Sequence, residues 1–177
     1  MTEEDRERKL ANAEQHLKES RKSGMPGIGT GNVYQIPVEL FTVPTRQIPA
    51  GWRKVWIMDP GFNDPTAVLW IAQDPETGIS ELYSEHYVAR AETVIHTAAI
   101  KARGAWIPGL ADTSSKRVSE LMGEHTLLRE YQQQGLDIDV VAKPEIAASS
   151  QRVSDALSTG QLKVQKHLQR WFFEYSM

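Results

Sequence analysis

Two aspartates stand where chemistry is easiest to imagine. Asp59 closes the run RKVWIMD (53–59), and Asp112 closes the stretch from Trp106 to Ala111. The four apolar residues Val55 to Met58 read as a strand buried on both faces, hence a central strand. Asp59 is followed by Pro60-Gly61, which stop a strand and turn the chain. A carboxylate at such a position is costly to bury unless it is hydrogen-bonded or bound to a cation. Asp-Pro-Gly is also good turn chemistry, so a turn-initiating role for Asp59 stands beside the metal-ligand role. If the strands ending in Asp59 and Asp112 are parallel neighbours, both carboxylates lie at one end of the sheet, where ligand sites of such sheets gather. Two like charges at that spacing repel unless a divalent cation lies between them. With no cysteine and no histidine pair at ligand spacing, the cation is a hard one, Mg²⁺ or Mn²⁺. Such a site suits phosphodiester hydrolysis.

These residues need a sheet to position them. Residues 53–59, 66–72 and 79–88, joined by short turns, form an antiparallel meander. In the third strand, alternation puts Leu82, Ser84, His86 and Val88 on one face and Glu81, Tyr83, Glu85 and Tyr87 on the other. A helix over 91–103 stops at Gly104, and a short strand ends at Asp112. A second helix spans 118–134, a strand 138–142, and a third helix 151–157 capped by Ser149 or Ser150. An extended piece at 162–164 precedes a helix from Leu168. Meander followed by strand–helix alternation gives an α/β fold, a mixed sheet flanked by helices.

Residues 1–50 read as an N-terminal helix (2–23) and a connecting arm, and 51–177 as the domain proper. The glycine-rich stretch 24–32 lacks the Gly-Lys-Ser/Thr and preceding strand of a phosphate loop. Prolines 37, 44 and 49 make the arm extended chain or an edge strand. The chain has 177 residues, 40% hydrophobic and 24% charged, suited to one globular core. The absence of cysteine excludes a disulfide framework. No apolar run approaches the roughly 20 residues of a membrane span, and the acidic start is not a secretory signal. A net charge of −3 argues against nonspecific coating of nucleic acid while allowing a local basic groove.

Several motifs in order carry a family resemblance: GMPGIGTGNVYQIP (24–37), VWIMDPGFNDPTAVLW (55–70), LYSEHYV (82–88), HTAAIKARGAWIPGLAD (96–112), GLDIDVVAK (135–143) and LSTGQLKV (157–164). The chain resembles the nuclease domain of bacteriophage terminase large subunits, which has a ribonuclease H-like fold. The resemblance implies a Mg²⁺/Mn²⁺-dependent endonuclease cutting concatemeric double-stranded viral DNA during packaging, in the host bacterial cytoplasm. It implies as partners an ATPase domain, the terminase small subunit and the portal protein, and no membrane. The family's first catalytic aspartate falls on Asp59 and its second acidic residue on Asp112. The third belongs to a C-terminal helix in an Asp-His stretch beyond Met177, and Glu174 lies too early to be it. The chain is thus expected to be a terminase fragment with two of three metal carboxylates, either a nuclease portion or a catalytically inactive DNA- or motor-binding module. A resolvase-like member of the same fold would need its third metal carboxylate in the final helix, where the only acidic residue is Glu174, read here as too early to serve.

Other residues complete the expectation. Glu85 is an auxiliary metal ligand or a hydrogen-bonded strand carboxylate. Lys116, Arg117 and Lys143 are candidate contacts for DNA phosphates, with a solvated charged surface as the alternative. His86 and His96 read as ordinary core-edge residues. The tryptophans on or beside strands, Trp52, Trp56, Trp70 and Trp106, read as core.

Overall fold

A computed structural model describes residues 34, 36–61, 63–112, 127–142 and 145–177. Seven strands form one mixed sheet: β1 Thr42–Val43, β2 Arg53–Asp59, β3 Thr66–Gln73, β4 Ser80–Val88, β5 Gly109–Asp112, β6 Ile138–Val141 and β7 Leu162–Gln165. Their spatial order is β1-β7-β4-β3-β2-β5-β6. The β2–β3–β4 meander is antiparallel, whereas β5 joins β2, β6 joins β5, and β7 joins both β4 and β1 in parallel. Four α-helices are described: α1 Thr93–Ala102, α2 Leu127–Gln133, α3 Ile146–Ser158 and α4 Gln169–Tyr175. The expected α/β architecture, a meander extended by parallel strands between helices, is the observed one.

Each face of the sheet carries its own core. On one face Trp56, Met58, Val68 and Trp70 pack with Ile100 of α1 and with Leu128 and Tyr131 of α2. On the other, Leu82 and Val164 pack with Leu157 of α3, Leu168 beside α4, Tyr175 within α4, and Phe41. Phe41 lies in the stretch read as an arm, is fully buried, and immediately precedes β1. The backbone fixes that edge: Val164 N–H donates to the Phe41 carbonyl at 2.9 Å and Lys166 N–H to that of Val43 at 3.0 Å.

Four local expectations need correction. The central strand β2 is not buried on both faces, because Trp56 and Met58 are buried while Ile57, on the other face, is 36% exposed. The even alternation read in β4 is broken, because Trp70 pairs with Ser84 but Ile71 pairs with Leu82. Tyr83 is the extra residue of a β-bulge, so Leu82 joins one core while Tyr83 packs against the other. Helix α3 starts at Ile146, five residues before the expected Gln151, and its N-cap Glu145 makes no side-chain capping bond. Ser149 and Ser150 therefore lie inside α3. Trp106 is not core: it is 67% exposed, with the Lys54 ammonium 5.5 Å from its ring centroid. The expected helix at 2–23 and the glycine-rich stretch lie outside the described residues, as does the expected helical segment before Leu127.

Candidate active site

The site begins with the register of β2 on β5. Trp56 pairs with Gly109, Ile57 with Leu110 and Met58 with Ala111. The next position on each strand is Asp59 and Asp112, so the two aspartates end adjacent parallel strands side by side. Strand spacing places their backbones roughly 5 Å apart. The backbone positions of residues 59 and 112 thus lie at the same end of two adjacent parallel strands.

One contact sets that register. The Trp56 indole lies across Gly109: a Cβ on Gly109 would stand 2.1 Å from the nearest ring carbon. The indole Nε1–H donates to the Ile107 carbonyl at 2.8 Å, and the Trp56 N–H donates to the Pro108 carbonyl at 3.1 Å. Only glycine admits the ring there, and the ring and backbone together lock β5 to β2.

The chain leaving Asp59 is also fixed. Gly61 N–H donates to the Thr66 hydroxyl at 3.2 Å, and that hydroxyl donates to the Gly61 carbonyl at 2.8 Å. Thr66 is fully buried. A Cβ on Gly61 would meet the Asp64 carbonyl oxygen at 2.5 Å, so the turn closes only around glycine. Asp64 sits in this turn.

Across the meander, Asp59 pairs with Ala67, and Ala67 with Tyr87. The three share one face of the sheet, with only a methyl group between the carboxylate-bearing position and the tyrosine. Beyond Asp59 this face is sparsely covered: Ile57 and Val141 are 36% and 42% exposed.

Glu85 stands one pair below, in the row Ile57–Leu69–Glu85, two strands from β2. Its carboxylate accepts the Arg170 N–H at 3.0 Å and the Trp171 N–H at 2.9 Å. Both oxygens thus hold the first turn of α4. Sequence reasoning had no signal for this, since donor and acceptor are some 85 residues apart in the chain. The same is true of Tyr87, whose hydroxyl donates to Glu174 at 2.7 Å. That hydrogen bond is the chief reason the phenol is held above its usual range.

His86 and His96 meet behind the sheet, ring nitrogen to ring nitrogen at 2.8 Å. His96 is buried. They lie on the face opposite to Asp59 and are not neighbours of it in register. Another sequence-silent group joins the buried Glu81 to Arg46 (2.5 Å) and to Gln165 Nε2–H (2.6 Å), tying the stretch after β1 to the sheet. Lys116, Arg117 and Lys143 lie outside the described residues.

By residue type, two aspartates at one strand-end position offer the oxygen donors that a hard cation takes. Among the described residues no group of three or more His, Cys, Asp or Glu is placed to hold a metal ion.

No protein-family model matches the chain. The terminase large subunits of Enterobacteria phage LP7 and Salmonella phage P22 are each 28% identical to it over 104 residues, 59% of this chain. The match covers 21% and 20% of their lengths, so the chain spans about a fifth of the curated relatives it matches. Among solved structures, the P22 large terminase nuclease domain superposes with a TM-score of 0.73 at 21% identity, covering 83% of this chain and 78% of that one. The large terminase nuclease of the thermophilic phage G20c, solved with bound cobalt, gives 0.52 at 12% identity, covering 77% and 75%. The chain is thus homologous to phage terminase large subunits over that segment, and it has the ribonuclease H-like fold of their nuclease domain.

Proposed function

We propose that this chain is the nuclease-domain portion of a phage terminase large subunit, cutting concatemeric double-stranded viral DNA during genome packaging. Asp59 and Asp112 are its metal-holding carboxylates. The observation that carries the reading is their shared register position at the carboxyl ends of β2 and β5. The homology to terminase large subunits supports it. So does the cobalt bound by a nuclease of the same fold.

The ions proposed are Mg²⁺ or Mn²⁺, in a two-metal arrangement. When bound, such ions supply a hydroxide nucleophile at neutral pH and stabilise the leaving oxygen. The chain's own residues do the rest. Asp59 and Asp112 present carboxylate oxygens from two strands whose register Trp56 and Gly109 lock. The Gly61–Thr66 clasp holds the turn after Asp59, so the carboxylate is presented from a fixed backbone. Ala67 leaves the neighbouring position open to a substrate. Lys116, Arg117 and Lys143 are proposed phosphate contacts. Glu85 is left to its helix, since both its oxygens are engaged there. In the whole protein the partners are the ATPase domain, the small subunit and the portal, and the setting is the host cytoplasm.

A second reading has one observation in its favour: among the described residues no group of three or more His, Cys, Asp or Glu is placed to hold a metal ion. On it the chain is a DNA- or motor-binding module without catalysis. Incubating the 177-residue chain with supercoiled plasmid and Mn²⁺ separates the two. Nicking that is lost in Asp59→Asn and in Asp112→Asn supports the nuclease. DNA retention without nicking supports the module, and nicking that survives both substitutions refutes the assigned site.

A further inference from the structure

We propose that Arg170, held against the ring of Tyr87, is a contact for a backbone phosphate of duplex DNA. The inference rests on the nuclease reading of Asp59 and Asp112 and adds to it a residue outside the strand-end pair. The register Asp59–Ala67–Tyr87 places Tyr87 on the Asp59 face of the sheet. Two strand spacings separate their backbones by about 10 Å. On a strand rising about 3.4 Å per nucleotide, that is within some three nucleotides of a bond cut at Asp59.

Three features fix the guanidinium in place. It lies over the Tyr87 ring, 5.8 Å from the centroid. The ring is held from its far end by Glu174, one helical turn further along α4, which accepts the phenol proton. The turn that carries Arg170 is anchored by Glu85 through the backbone amides of Arg170 and Trp171. Arg170 is nevertheless exposed. A guanidinium stacked on one face keeps its planar fork of N–H donors for a phosphate, and prior ordering lowers the entropy lost on binding.

Electrostatics gives such a cation a task. A rim bearing Asp59, Asp112 and Asp64 repels a polyanion wherever metal does not neutralise it. A fixed positive charge across the Ala67 gap offsets that repulsion on the side away from the metals. The tyrosine face, the open methyl position and the exposed guanidinium form a track leading to Asp59.

The test is binding of a short fluorescent duplex to the 177-residue chain in EDTA, by anisotropy, over a series of salt concentrations. Arg170→Gln is expected to weaken binding by roughly three- to tenfold and to lower the slope of log affinity against log salt by about one. Arg53→Gln removes an exposed charge at the opposite end of β2 and is expected to change neither. Arg170→Lys, which keeps the charge and loses the fork, is expected to fall between and serves if the glutamine variant melts early. Wild-type affinity and slope in Arg170→Gln overturn this inference and leave the Asp59–Asp112 reading standing. Equal losses in the Arg170 and Arg53 variants overturn it as well. No binding of duplex by the wild-type chain at low salt overturns this inference too, and the Asp59–Asp112 reading is then judged by Mn²⁺-dependent nicking alone.

Discussion

The Trp56 indole occupies the space that any side chain on Gly109 would need, with the built Cβ 2.1 to 2.4 Å from three ring carbons. Neither an indole ring nor the β5 backbone can give by that much. Gly109→Ala should therefore shift β5 on β2 or expel the ring, at a cost of about 3 kcal/mol, the upper range for overpacking. For a chain of this size that lowers the midpoint of thermal unfolding by roughly 6–12 °C. Trp56→Phe in the same chain should recover part of the loss, because the smaller ring clears the methyl. A Gly109→Ala chain that melts with the wild type would show that this contact does not set the register of the two aspartates.

Ala67 lies between Asp59 and Tyr87 on the open side of the sheet. Ala67→Leu should fill that gap while leaving both cores intact. Its stability is expected within about 1 kcal/mol of wild type, as for most substitutions outside a core. Duplex binding in the anisotropy assay is expected to fall severalfold. Unchanged binding would remove this face from the substrate path.

Glu85 satisfies two amides at the start of α4. Glu85→Ala should cost about 1–2 kcal/mol, in the range of a lost helix cap, and speed hydrogen exchange at Arg170 and Trp171 before any other helix. Glu85→Gln should recover part, since an amide oxygen can accept one of the two bonds. Unchanged exchange at those amides in the alanine variant would contradict the clamp.

The paired histidines give a pH dependence with a definite sign. Burial, then the neighbouring His96 and Arg103, push His86 down to about 4, and burial lowers His96. Both folded values lie below the ordinary 6.5, so as pH falls the unfolded chain takes up protons first. Their stabilising contribution is complete above about pH 6.5 and is lost progressively toward about pH 4. The thermal midpoint should drop by several degrees across that window, and His86→Phe should flatten the drop. The same slope in that variant would assign the acid sensitivity to other groups.

Much of this fold is legible in the sequence because its central elements carry local signals. The run Val55 to Met58 has turn residues after it, and the apolar stretch after Thr66 is equally plain. So is the placement of an aspartate at the end of each of two strands. What could not be read depends on partners far along the chain. Thr42–Val43 is too short and too close to proline to announce a strand, and becomes one only through the amides of Val164 and Lys166. The bulge at Tyr83 leaves no mark in an alternating sequence. Glu85, Tyr87 and Arg170 gain their roles from one another across the sheet. The exposure of Trp106 could not be inferred either, since a tryptophan beside a strand is core by default. Even the Asp59–Asp112 adjacency, which follows once β2 and β5 are parallel neighbours, needed a register that Trp56 and Gly109 determine in three dimensions.

The central claim is that residues 59 and 112 hold divalent metal jointly. It is tested most directly by titrating the chain with Mn²⁺ and following the free ion by electron paramagnetic resonance. The wild type should bind. Asp59→Asn and Asp112→Asn should each weaken binding at least about tenfold. The double variant should bind no more weakly than the poorer single one, because the two act on one site. Wild-type Mn²⁺ affinity in both single variants would contradict the account.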